Sequence, residues 1–199
     1  MNNWQSRFLM AVAFASFTPG AWAGEIHEAV GKGDVAKVTS LLKSNPTLAN
    51  APGDDFRQFP PLMIAVEGGR TNMVELLLKL GADINGVNND NETALYRASM
   101  WGRADMVKLL LVHKADVNAG AKSGRSPALE VAALNAHAAA VELLLAHGAK
   151  VDASYVTYIE KVASDPILEK PEQAEKKKAY QRVMELLKKQ VAEKPSPKP

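Results

Sequence analysis

The 199-residue sequence has no cysteine. That excludes a disulfide framework, a thiol nucleophile and a lipid-bearing cysteine. Aromatic residues are scarce at 6%, so each one outside a core position carries information. Long apolar runs are missing too. "FLMAVAFASF" (Phe8 to Phe17) has ten residues, against about 20 for a helix that crosses a bilayer. No Gly-x-Ser-x-Gly elbow is present, and the four histidines form no His-x-x-x-His pair, so neither an activated serine nor a helical zinc site is indicated. "GAKSGRS" (Gly120 to Ser126) has glycines and a Lys-Ser pair but lacks the Gly-x-x-x-x-Gly-Lys spacing of a phosphate-cradling loop. The expectation is a protein that is not an enzyme and takes no metal or cofactor.

Charge of one sign is also lacking, with a formal net charge of +2. The excess is local: from Glu169 onward nine Lys/Arg face five Asp/Glu. A basic tail whose consecutive lysines are interspersed with Glu172 and Glu175 reads as a solvated helix face, so no nucleic-acid partner is expected.

The first 23 residues differ from the rest. Arg7, the apolar stretch Phe8 to Phe17, Pro19-Gly20 as a helix breaker, and Ala21-Trp22-Ala23 in A-x-A spacing match the layout of a secretory signal peptide. Cleavage is expected between Ala23 and Gly24. The competing reading, an uncleaved anchor, meets the shortness of the apolar run. No twin-arginine pair is present, which leaves the general secretory route. Export without disulfides favours a bacterial periplasm. In a eukaryotic secreted chain, Asn91-Glu92-Thr93 would be a glycosylation acceptor.

What is abundant is repetition. Pro60 to Asn85 ("PPLMIAVEGGRTNMVELLLKLGADIN"), Thr93 to Asn118 and Pro127 to Asp152 align without gaps, with anchor leucines at Leu62, Leu95 and Leu129. A fourth copy, Glu25 to Asn50, precedes them with one extra residue near Pro46. Leu-x-x-Ala recurs at Leu62/Ala65, Leu95/Ala98 and Leu129/Ala132, and "MVELLL", "MVKLLL" and "AVELLL" are closed by "GADIN", "KADVN" and "GAKVD". A period of 33 to 34 residues with this pattern resembles the ankyrin repeat family. The resemblance implies an all-α solenoid of helix-turn-helix units with projecting hairpin loops, about five repeats including divergent N- and C-terminal caps.

The expected organisation is a signal peptide (1–23), an ankyrin-repeat domain (24–190) and a disordered tail (191–199). Repeats fall near 25–58, 59–91, 92–125 and 126–153, with a divergent cap over 154–190. Ala65, Ala98 and Ala132 are read as small residues where first helices stack, and Leu76 to Leu78 with their equivalents as the inter-repeat core. Gly81 and Gly148 fit a left-handed position where the second helix ends. Lys114 stands in that place in the middle repeat. Threonine-proline openings are eroded, leaving Thr93, Pro61 and the shifted pair Ser126-Pro127 as helix starts. The histidines at repeat-equivalent positions, His113 and His147 above all, read as structural, as do His27 and His137.

The resemblance also implies a protein partner, met through hairpin tips and the concave face of the first helices, by a chain that is monomeric when unbound. Five and six residues after each anchor leucine lie Glu67-Gly68, Met100-Trp101 and Leu134-Asn135. Met100 and Trp101 are therefore expected outward. With Tyr96 and the nearby Phe56, Arg57 and Phe59 they make an aromatic and arginine cluster of the kind found at binding hot spots. Packing of Trp101 over the neighbouring turn is the alternative. Two roles compete: restraint or shielding of an exported enzyme, as an immunity or accessory protein would do, and support of a peroxide-degrading enzyme such as a catalase, which some bacterial periplasmic ankyrin proteins resemble in role.

Overall fold

A computed structural model describes residues 19–120, 126–151 and 153–192. The apolar run Phe8 to Phe17, the loop residues Lys122 to Arg125, Asp152 and the tail 193–199 lie outside the described residues. Ten α-helices are present among those described. They alternate as first and second helices of stacked pairs: α1 (Pro19–Lys32) with α2 (Val35–Ser44), α3 (Pro61–Glu67) with α4 (Thr71–Lys79), α5 (Ala94–Met100) with α6 (Ala104–Val112), α7 (Pro127–Leu134) with α8 (Ala138–Ala146), and α9 (Ala153–Ala163) with α10 (Ala174–Ala192). Among the described residues helix α1 runs from Pro19 and is continuous through Ala23 and Gly24.

Short first helices form because each has a defined start. Thr93 Oγ1 accepts from Tyr96 N at α5, and Ser126 Oγ accepts from Leu129 N at α7, with Pro127 at the first helical position. Pro61 opens α3 in the same way. Proline is tolerated there because the missing N–H would have had no intrahelical partner.

Leu62, Leu95 and Leu129 are buried, and so are Ala65, Ala98 and Ala132, the small side chains letting α3, α5 and α7 approach. In the second helices the middle leucine of each triplet, Leu77, Leu110 and Leu144, is fully buried. Its neighbours Leu76, Leu78, Leu109, Leu143 and Leu145 are partly buried against the same core, and Leu111 is buried.

Polar ties join successive repeats at their ends. Asn50 Nδ2 donates to Gly81 O and its Oδ1 accepts from Asp83 N; Asn85 Oδ1 accepts from Asp116 N; Asn118 donates to Gly148 O and accepts from Lys150 N. The repeated closing Asn is thus an amide ladder that satisfies backbone groups of the next repeat. Lys114 adopts the left-handed backbone of Gly81 and Gly148, at φ 68°. The middle repeat retains the turn despite a side chain that disfavours it.

The last pair closes the stack. Tyr155 and Tyr180 hydroxyls each donate to a carbonyl of the preceding repeat, Glu130 O and Leu134 O, both at 2.6 Å. Val183 and Leu187 are buried and Leu186 is partly buried. Helix α10 starts at Ala174, directly after a 3-10 turn over Pro171–Gln173. The lysines of this helix face carboxylates and solvent: Lys177 pairs with Glu169 and Lys178 with Glu175.

Candidate protein interface

Helix α5 has seven residues, and Trp101 caps its C-terminus immediately before Gly102, which is left-handed at φ 62°. A side chain at a helix end that turns away from the stack has little core to enter. Trp101 is 59% exposed. Met100 is half-buried, its sulfur 3.9 Å from an Arg97 guanidinium nitrogen and its carbonyl accepting from His137 Nε2 at 3.1 Å. Of the expected outward pair, the tryptophan faces solvent and the methionine is half-buried beside Arg97.

Arg97 organises the face. Only 5% exposed, its guanidinium is gripped by Glu67 of α3, through both Nε (2.7 Å) and Nη2, and reaches Glu92 of the preceding hairpin at 3.4 Å. Glu92 is itself positioned. Asn88 Nδ2 donates to Glu92 Oε2, and Asn88 Oδ1 accepts from the Asp90 and Glu92 amides. A buried cation requires such company, because an isolated one would cost several kcal/mol. The Arg97 guanidinium carbon also lies 5.1 Å from the Phe59 ring centroid and 6.0 Å from that of Trp101.

The other arginine of the expected cluster extends the arrangement. Arg57 lies over Phe56 at 5.5 Å and over Phe59 at 5.8 Å. Phe56, Arg57, Phe59, Arg97 and Trp101 therefore form one alternating series of rings and cations, drawn from the 51–60 loop and α5, within the distance at which the ring quadrupole attracts a cation. Its two ends are the exposed ones, since Phe56 is 81% exposed.

Several bonds hold this loop. Asp55 Oδ1 accepts from the Arg57 and Gln58 amides, Asn89 donates through its backbone to Arg57 O and through its side chain to Phe56 O, and His27 Nε2 bonds Phe59 O at 2.9 Å. His27 and His137 are thus inter-repeat ties. His147 bonds its own helix through Leu143 O. Among the described residues no group of three or more His, Asp or Glu is placed to hold a metal ion.

Tyr96 stands apart from the ring series. It is half-buried, and burial, followed by the nearby Glu92 carboxylate, pushes its phenol pKa upward, with Arg97 opposing. Arg97, Glu67 and Glu92 as a unit escaped the sequence reading. Their signal was available: stacking places the residue five after one anchor leucine beside the residue two after the next anchor, and Glu67 and Arg97 occupy those places with opposite charge.

Residues 26–121 match the family described as "Ankyrin repeats (3 copies)". These residues are ankyrin repeats. The chain is 33% identical over 103 residues to the human NAD-capped RNA hydrolase NUDT12, covering 52% of this chain and 20% of that protein. It is 33% identical over 135 residues to the E3 ubiquitin-protein ligase XBAT33 of Arabidopsis thaliana, covering 66% and 25%, and 35% identical over 86 residues to Inversin of Gallus gallus, covering 43% and 8%. The chain thus spans a quarter or less of the length of these relatives. The likeness to the hydrolase is confined to its ankyrin region. An ankyrin stack is typically an interaction scaffold. Among the described residues no helix is long and apolar enough to cross a membrane.

Proposed function

We propose that the chain is a non-enzymatic protein-binding module of the periplasm that restrains or shields an exported enzyme by covering part of its surface, in the manner of an immunity or accessory protein. The observation that carries the binding face is the combination of exposure and rigidity at Phe56 and Trp101. A large aromatic held in water by a bonded loop forgoes burial worth about 2 kcal/mol, and such preorganisation gains affinity when a partner covers it. Export is supported by Arg7, the apolar run Phe8 to Phe17 and Ala21-Trp22-Ala23. The relatives that share the ankyrin stretch have unrelated names, a hydrolase, a ubiquitin ligase and Inversin, which supports recognition and not catalysis as the common element.

Two measurements test this. N-terminal sequencing of the exported form is expected to begin at Gly24, and full-length protein in the membrane pellet would contradict export. Trp101→Ala is expected to weaken capture of the periplasmic partner by about 2 kcal/mol or more, roughly thirtyfold. Stability is expected to change by less than about 1 kcal/mol, the scale of an exposed ring contact with Arg97. A variant that melts early yet binds normally would make Trp101 a packing residue.

A further inference from the structure

The two arginines of the ring series have the same aromatic dressing and different carboxylate company. Arg97 touches Phe59 and Trp101 and is saturated by Glu67 and Glu92. Arg57 touches Phe56 and Phe59, and no carboxylate among the described residues pairs with it. Its nearest acidic neighbour in sequence, Asp55, turns an oxygen to the backbone amides of residues 57 and 58. Arg57 is half-buried and lies over two rings on a loop fixed from both sides, which removes much of the rotamer entropy that an exposed arginine loses on binding. Its planar fork of N–H donors matches a carboxylate in bidentate geometry.

On the basis of the binding face argued above, we infer that the partner presents a single carboxylate beside an apolar side chain, the carboxylate completing Arg57 as Glu67 completes Arg97 and the apolar group packing on the exposed Phe56 ring. The surroundings restrict this chemistry further. Asp54, Asp55 and Asp90 are exposed on the same two loops, so a polyanion meets repulsion from these carboxylates, and a nucleic acid or a run of acidic residues does not fit. A lone acid flanked by Leu, Phe or a similar residue does. The occupant is a polypeptide segment carrying one Asp or Glu in an apolar setting.

The test uses the full chain and an array of paired synthetic dodecapeptides. One member of each pair carries a central Phe-Glu or Leu-Asp, and the other carries Gln or Asn in place of the acid. The wild-type chain is expected to prefer the acidic member by about tenfold, as a charge-assisted hydrogen bond allows. Arg57→Gln is expected to bring that ratio to about one, and Arg57→Lys to leave a reduced preference. Trp101→Ala and Phe56→Ala are expected to weaken both members together, preserving the ratio. A wild-type ratio near one, or a preference that survives in Arg57→Gln, overturns the inference while leaving the aromatic face in place. If Arg57→Gln removes the preference but the Trp101 and Phe56 variants bind like wild type, the aromatic face is wrong and the arginine site stands alone.

Discussion

Replacing Arg97 with methionine keeps a long flexible side chain and removes the cation. Its consequence can be worked from the geometry. Loss of one partner from a buried ion pair costs about 3–5 kcal/mol, most of it from stranding the opposite charge. Here two carboxylates are stranded, but their side chains are 29% and 16% exposed for Glu67 and Glu92, so water re-enters and lowers the penalty. About 2–4 kcal/mol is expected, which for a chain of this size means a melting temperature lower by roughly 5–15 °C. Urea unfolding followed by tryptophan fluorescence reads it directly, because in a chain starting at Gly24 Trp101 is the sole tryptophan and it sits against the altered residue. Arg97→Lys keeps the charge but loses the fork and should fall between wild type and Arg97→Met. In the triple variant with Glu67→Gln and Glu92→Gln no charge is stranded, and about half of the loss should return. An Arg97→Met protein within 0.5 kcal/mol of wild type would show that Arg97 does not hold the hairpin and the two repeats together, and the account of a preorganised face would fail with it.

The turn positions give a paired prediction. Lys114 is exposed with φ 68°, and a Cβ at the equivalent Gly81 or Gly148 meets nothing within 4 Å, so Lys114→Gly should stabilise by about 1 kcal/mol in thermal unfolding. Ala136 has φ 59° but a buried methyl, whose loss at about 0.8 kcal/mol offsets the backbone relief; Ala136→Gly should be near neutral. Ser99 is fully buried with no hydrogen-bond partner for its hydroxyl, in the register of Val66 and Ala133, so Ser99→Ala should stabilise by roughly 1 kcal/mol; a loss of stability would reveal a bound water. Burial raises the Tyr180 phenol pKa, so the folded state holds its proton more tightly than the unfolded chain. That contribution is complete below the ordinary value of about 10 and fades as pH rises above it. Tyr180→Phe should lose part of this alkaline sensitivity and about 1 kcal/mol for the bond to Leu134 O, measured by denaturation at pH 8 and pH 11.

The features legible in the sequence were those repeated in it. Anchor leucines, small alanines, Thr93 and Ser126 as caps, and the left-handed Lys114 all occupy places that other copies define, so comparison within the chain assigns their environments. The cap was legible more coarsely, as a divergent unit over 154–190, and the hydroxyls of Tyr155 and Tyr180 reach carbonyls that only stacking brings within 2.6 Å. Arg97 was lost for the opposite reason. Its equivalents Ile64 and Val131 are apolar, so the repeat predicts nothing for an arginine there. The partner Glu67 is 30 residues away, and only the register between successive first helices joins them. Met100 is half-buried and not fully outward because exposure along so short a helix changes within one residue, and the guanidinium beside it provides a surface that the family pattern does not contain.

Irregular positions in a repeat array are where function departs from scaffold. A solenoid built from identical units would be stable and would offer the same surface at every step. In this chain the second and third repeats break the pattern together, with Glu67, Arg97 and Trp101 on their first helices and Phe56 and Phe59 on the preceding loop. Each change is unfavourable alone: a buried cation, a buried hydroxyl at Ser99, two exposed rings. Taken jointly, the cation is paired, the rings gain a cation to lie against, and the loop gains bonds from Asn89 and His27. What remains uncompensated within the described residues is the outer edge of the set, the Arg57 fork and the water-facing surfaces of Phe56 and Trp101. A partner that supplies a carboxylate and apolar surface there completes the same logic that Glu67 and Phe59 complete inside.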